Sequence, residues 1–99
     1  MKRNQLLLDA EILDIGPLRM TPGGIETVTL KLGHQSNQVE AEREREVRVA
    51  LEAAGFGAVA RKLGSHAAGS RIAIKGFLAR KSAINETPVL HINEFKTIE

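Results

Sequence analysis

The stretch Gly69–Lys81, GSRIAIKGFLARK, narrows the possible folds more than any other part of the chain. Ile72, Ile74 and Leu78 recur at every second position with Arg71 and Lys75 between them, the period of a strand with one buried and one wet face. Gly76 interrupts the alternation. A glycine inside such a strand marks a bulge or sharp bend, which lets a small sheet curl into a barrel. The strand then runs into Arg80 and Lys81 and a polar loop, so it delivers positive charge to the mouth of whatever it helps enclose.

The flanking segments supply the remaining strands. Leu6, Leu8, Ala10 and Ile12 alternate with Leu7, Asp9, Glu11 and Leu13, which predicts a long first strand with the first set inward, ending at Gly16-Pro17. Pro22-Gly23-Gly24 reads as a tight turn, and Val28, Leu30 and Leu32 against Thr27, Thr29 and Lys31 as a second strand. Gly33 to Glu42 holds almost nothing apolar and reads as an exposed loop. Glu42-Arg43-Glu44-Arg45-Glu46 leads into Val47, Val49 and Leu51, so the charge run opens a third strand as a solvated face. From Ala53 to Ala68 the period lengthens: Phe56, Val59, Ala60 and Leu63 share one helical face, and Gly64 supplies the stop. Phe56 is therefore expected in the core. The organising strand follows, then a loop at Ser82–Thr87 and a last strand at Pro88–Lys96, with Leu90, Ile92 and Glu94 on one face and Val89, His91 and Asn93 on the other.

Three strands, a short helix and two more strands predict an all-β fold, the OB-fold: a five-stranded Greek-key barrel with one helix between strands 3 and 4. At 99 residues the chain makes a single domain. It has no cysteine, which excludes disulfides and thiolate metal sites, and Asp9, Glu11 and Asp14 break the early leucine run too soon for a signal peptide or membrane span. A soluble cytoplasmic protein that makes no use of a membrane is expected.

Chemistry finds little to stand on. His34, His66 and His91 lie at no metal-ligand spacing, no glycine-rich phosphate loop or nucleophile elbow is present, and the acidic residues do not converge. We expect no enzyme, no cofactor and no bound metal. The charge is more informative. Residues 1–52 carry seven Lys/Arg and nine Asp/Glu, residues 53–99 seven and three, a swing from −2 to +4 that permits an anionic partner.

Several short motifs also fall in a familiar order. Gly16-Pro17-Leu18-Arg19, Pro22-Gly23-Gly24-Ile25, His34-Gln35-Ser36, Gly69-Ser70-Arg71-Ile72, Lys75-Gly76-Phe77-Leu78 and Val89-Leu90-His91 together resemble the primosomal replication protein N (PriB) family, which is related to bacterial single-stranded DNA-binding proteins. The likeness runs over nearly the whole chain, with differences in loop length between strands two and three and between strands four and five. It implies a homodimer of OB-folds that binds single-stranded DNA without strong sequence preference. It also implies a place in the primosome, in contact with the PriA helicase and other primosome proteins during restart of stalled forks.

Carried over by position, the DNA-binding residues are Arg19, Lys31, Gln35, Arg48, Lys75, Arg80 and Lys81, with Phe77 as the one stacking candidate. Lys31, Arg48 and Lys75 fall on outward faces of the strand reading as well. The chain departs from the family in having three Phe and no Trp or Tyr, in carrying Val47 at a position that can be tryptophan in relatives, and in a lysine-poor loop after Lys81. Aromatic stacking contributes about 1 to 3 kcal/mol per base, so binding is expected to be modest and mainly electrostatic. The competing reading is a protein-interaction module of the primosome, with Glu44 and Glu46 meeting a partner. An RNA-binding OB-fold is the third; no RNA-specific motif favours it.

Overall fold

The computed structural model describes residues 1–98. In chain order it holds β1 (Leu6–Ile15), β2 (Arg19–Met20), β3 (Glu26–Glu40), β4 (Arg43–Phe56), α1 (Ala58–Leu63), β5 (Arg71–Ser82) and β6 (Asn85–Thr97). The sheet runs β1-β5-β6-β4-β3-β2, and β1 also pairs with β3. That second pairing closes β1, β3, β4, β6 and β5 into a five-stranded barrel. Its one parallel seam joins β4 to β6; the other ladders are antiparallel. This is the OB-fold predicted from the element order, with β2 as a two-residue lip on β3.

The inward sets are those the alternation picks out. Ala10 and Ile12 of β1, Val28, Leu30 and Leu32 of β3, Ile72 and Ile74 of β5, and Leu90 and Ile92 of β6 are buried together. One strand, β1, serves two neighbours: β5 along Leu6–Glu11 and β3 from Glu11 to Ile15, with the register slipping between Ile12 and Asp14. The bulge at Leu13 turns the strand from one partner to the other.

The bend expected at Gly76 is present. Lys75 pairs with Glu94 and Gly76 with Ile92, leaving Asn93 bulged. A Cβ on Gly76 would lie 2.0 Å from the His91 carbonyl oxygen, so β6 folds over backbone that carries no side chain. The extra residue also changes the phase of β6. Glu94, read from strict alternation as sharing the face of Leu90 and Ile92, is exposed, and Phe95 packs against the core instead.

The expected loops and helix need correction. Ser82–Thr87 is no loop, since β5 runs to Ser82 and β6 starts at Asn85, with only Ala83 and Ile84 between them. Gly33–Glu42 is not a loop: β3 continues to Glu40 and returns as β4 from Arg43, through Ala41 and Glu42 in the left-handed region. The result is a two-stranded arm that gives the molecule extents of 49 × 33 × 23 Å. Both faces of the arm are wet, so its polar composition hides the strand.

The helix is also shorter than the span Ala53–Ala68. Residues 53–56 finish β4, and only Ala58–Leu63 is helical, capped by Gly57 and Gly64. Ala53, Ala54 and Gly55 are all buried, so β4 lacks alternation there. Ala60 and fully buried Leu63 plug the barrel end, and Leu63 lies over Gly55, where a Cβ would come within 2.8 Å of its Cδ1.

Candidate nucleic-acid interface

Strand pleating decides which side chains share a surface, and the ladder registers make the sorting explicit. On β3 the inward set is Val28, Leu30 and Leu32, so Thr27, Thr29, Lys31 and Gln35 face out. Their partners on β4 are Phe56, Ala54, Glu52 and Arg48. On β5 the outward set is Lys75, Phe77, Ala79 and Lys81, and Phe77 pairs with His91 of β6, itself opposite Ala54. Arg19 joins the same surface through Thr27.

Seven of the eight residues expected to meet DNA therefore lie on one outer face: Arg19, Lys31, Gln35, Arg48, Lys75, Phe77 and Lys81. The eighth, Arg80, does not. It alternates with Lys81 and pairs with Pro88, so it stands on the opposite face of the β5–β6 hairpin.

The aromatic content of this face is larger than the sequence indicated. Phe56, expected in the core, is 43% exposed. Its ring stacks on His91 with centroids 5.4 Å apart, and Phe77 stacks on the same imidazole at 5.0 Å. Three flat rings thus form one pile across β4, β6 and β5. Phe56 was misplaced because its helical spacing with Val59, Ala60 and Leu63 is real, yet the chain turns at Gly57 before the helix starts. His91 was missed as a partner because only the parallel β4–β6 seam, invisible to local periodicity, brings it to Phe56.

The positive charge of the face is largely compensated. Lys81 Nζ lies 3.1 Å from Glu52 Oε1, Arg48 Nε 2.7 Å from Glu46 and Lys75 Nζ 3.9 Å from Glu94. All these groups are well exposed, so each pair contributes at most about 1 kcal/mol to stability. Arg19 and Lys31 make no salt bridge among the described residues. Glu44 and Glu46 follow Arg48 outward on the arm, in register with Val39 and Asn37.

A second feature lies where β1 and the arm part. His34 Nδ1–H donates to the Asp9 carbonyl at 2.6 Å, and Nε2 accepts from the Ser36 hydroxyl at 2.8 Å, which in turn accepts from Gln38 Nε2 at 2.9 Å. This chain of bonds ties the root of the arm to β1. Beside it an open groove of about 840 Å³ is lined by Asp9 and Glu11, by Gly33 to Asn37 and by Arg48 to Ala50. Leu13 lies over Gly33, with Cδ1 3.0 Å from where a Cβ would stand, whereas Leu7 is 72% exposed. Among the described residues no group of three His, Asp or Glu stands close enough to hold a metal ion, and no helix is long and apolar enough to cross a membrane.

The comparisons with known proteins agree with one another. A family model described as "another single-strand binding protein family" matches residues 4–94. The replication restart protein PriB of Nitrosomonas europaea is 34% identical over 98 residues, which span 99% of this chain and 91% of its own. The solved structure of PriB from Ralstonia solanacearum superposes with a TM-score of 0.92 at 32% identity, covering 99% of this chain and all of that one. The single-stranded DNA-binding protein of Thermus aquaticus, 24% identical, has the same fold with a TM-score of 0.77 over 98% of this chain and 50% of its own.

Proposed function

The chain belongs to the PriB family of single-strand binding OB-fold proteins, and from that premise we propose that it binds single-stranded DNA as an accessory factor of the replication-restart primosome. The observation that carries this reading is the single outer face on which Arg19, Lys31, Lys75 and Lys81 flank the Phe56–His91–Phe77 pile, with Arg48 farther along β4 at the root of the arm. Cations follow a phosphate backbone whatever its sequence, and ring faces accept any base, so the arrangement supports binding without sequence preference. It supports no covalent chemistry.

Labelled oligothymidine followed by fluorescence anisotropy tests the reading. We expect binding at low salt that weakens steeply, the logarithm of the association constant falling about 0.7 per neutralised phosphate for each tenfold rise in salt. Folded protein that fails to bind at both low and physiological salt defeats the proposal.

The competing reading, a protein-interaction module, has the PriA helicase meet the arm. Glu44 and Glu46 alternate with Arg48 on one face of a two-stranded ribbon, a mixed-charge surface that steers a protein partner better than a phosphate track. Reversing both glutamates to lysine is expected to weaken helicase binding at least tenfold while oligothymidine binding is unchanged or tighter. Pull-down and anisotropy on the same preparation distinguish the two effects.

Dimerisation belongs to the reading too. Along Leu6–Ala10, β1 has β5 on one side and on the other, among the described residues, no strand, only the His34 bond to the Asp9 carbonyl, since β3 joins from Glu11. An open edge of that kind is completed by a second copy of itself about a two-fold axis, and exposed Leu7 is the apolar contact such pairing covers.

A further inference from the structure

Glu52 occupies an unusual place for an anion. It stands directly opposite Lys31 in the β3–β4 ladder and holds Lys81, which comes from β5, two strands away across β6. Between them β6 presents Val89, which shares the outer face with His91 yet is only 7% exposed. A carboxylate therefore sits between two lysines of the proposed DNA track, next to the aromatic pile.

We propose that Glu52 is an internal stand-in for a nucleic-acid phosphate, occupying Lys81 and facing Lys31 until an incoming strand displaces it. The inference rests on the single-strand-binding reading above. Carboxylate and phosphate oxygens compete for the Lys81 ammonium, and the charge of Glu52 repels a phosphate placed beside it, so a phosphate gains the full attraction of Lys81 as the Glu52 contact is given up. Because both partners are about half exposed, the pair adds little to folding, and Glu52→Gln keeps the shape while removing the charge.

The experiment compares wild type, Glu52→Gln, the Lys31→Ala/Lys81→Ala double variant and the triple variant for labelled oligothymidine binding over a range of salt, with circular dichroism as the folding check. Glu52→Gln is expected to bind roughly five- to tenfold more tightly at low salt, with a salt slope steeper by about 0.7 for the release of Lys81. That gain is expected to vanish when both lysines are alanine. Unchanged or weaker binding by Glu52→Gln overturns the proposal. So does a gain that persists without the lysines, because Glu52 would then act by general repulsion. If wild type binds and Glu52→Gln shows no gain, the single-strand reading survives alone; if neither binds at low salt, both fall.

Discussion

Gly76→Ala is expected to lower stability by at least about 3 kcal/mol, a drop of roughly 15 °C in melting temperature for a domain of this size. The added methyl would stand 2.0 Å from the His91 carbonyl oxygen and 3.0 Å from its carbon, well inside van der Waals contact. Both are backbone atoms of the neighbouring strand and have no rotamer to escape into. Moving them means separating β5 from β6 at the Asn93 bulge, where the barrel turns its corner. Leu6 pairs with Gly76 from the other side, which leaves β5 no room to retreat. Oligothymidine binding should fall as well, because Phe77 and His91 ride on the two displaced strands. Thermal denaturation followed by circular dichroism checks the result. A fall of under about 5 °C would show that the bend tolerates a side chain and that the glycine is not what permits it.

Leu7→Glu is expected to turn the proposed dimer into a monomer. Leu7 is 72% exposed in a single chain, on the part of β1 that lacks a partner on its outer edge. In a two-fold pairing of β1 with itself the substitution appears twice, so two carboxylates must be desolvated beside Asp9 and Glu11 of both copies. Burial of unpaired charge on that scale costs about 4 kcal/mol or more, a thousandfold loss of association. Sedimentation at micromolar concentration should show a dimer for the wild type and a folded monomer for the variant. A monomeric wild type at that concentration defeats the dimer, and a variant that stays dimeric places the contact elsewhere.

What could be read from the residues, and what could not, follows from where each strand buries a face. In β1, β3 and the first half of β5 one side is core and the other water, so alternation alone placed Ile12, Leu32 and Ile74 inside and Lys31 and Lys75 outside. Where that asymmetry fails, so does the reading. The arm has two wet faces and looked like a loop; the end of β4 has two buried ones and looked like a helix. Gly76 was legible as a bend because it breaks a good pattern, but the phase change it brings to β6 was not, since the bulged residue, Asn93, lies on the partner strand. At the site, pleating told which cations share a face. It could not tell that Lys81, Arg48 and Lys75 each meet a carboxylate, because two of those three contacts link different strands.

The β3–β4 arm has a further consequence. Beyond Gly33 the ribbon is held by its own ladder and by the His34 tie to β1, with no apolar layer beneath it. Each rung therefore opens more easily the closer it lies to Ala41, and the arm frays from the tip inward while the barrel stays intact. A partner that grips the ribbon has to still this motion first, so its affinity depends on how stiff the arm is at rest. Substitutions that rigidify the tip without touching any partner would then act as silent tuners of assembly.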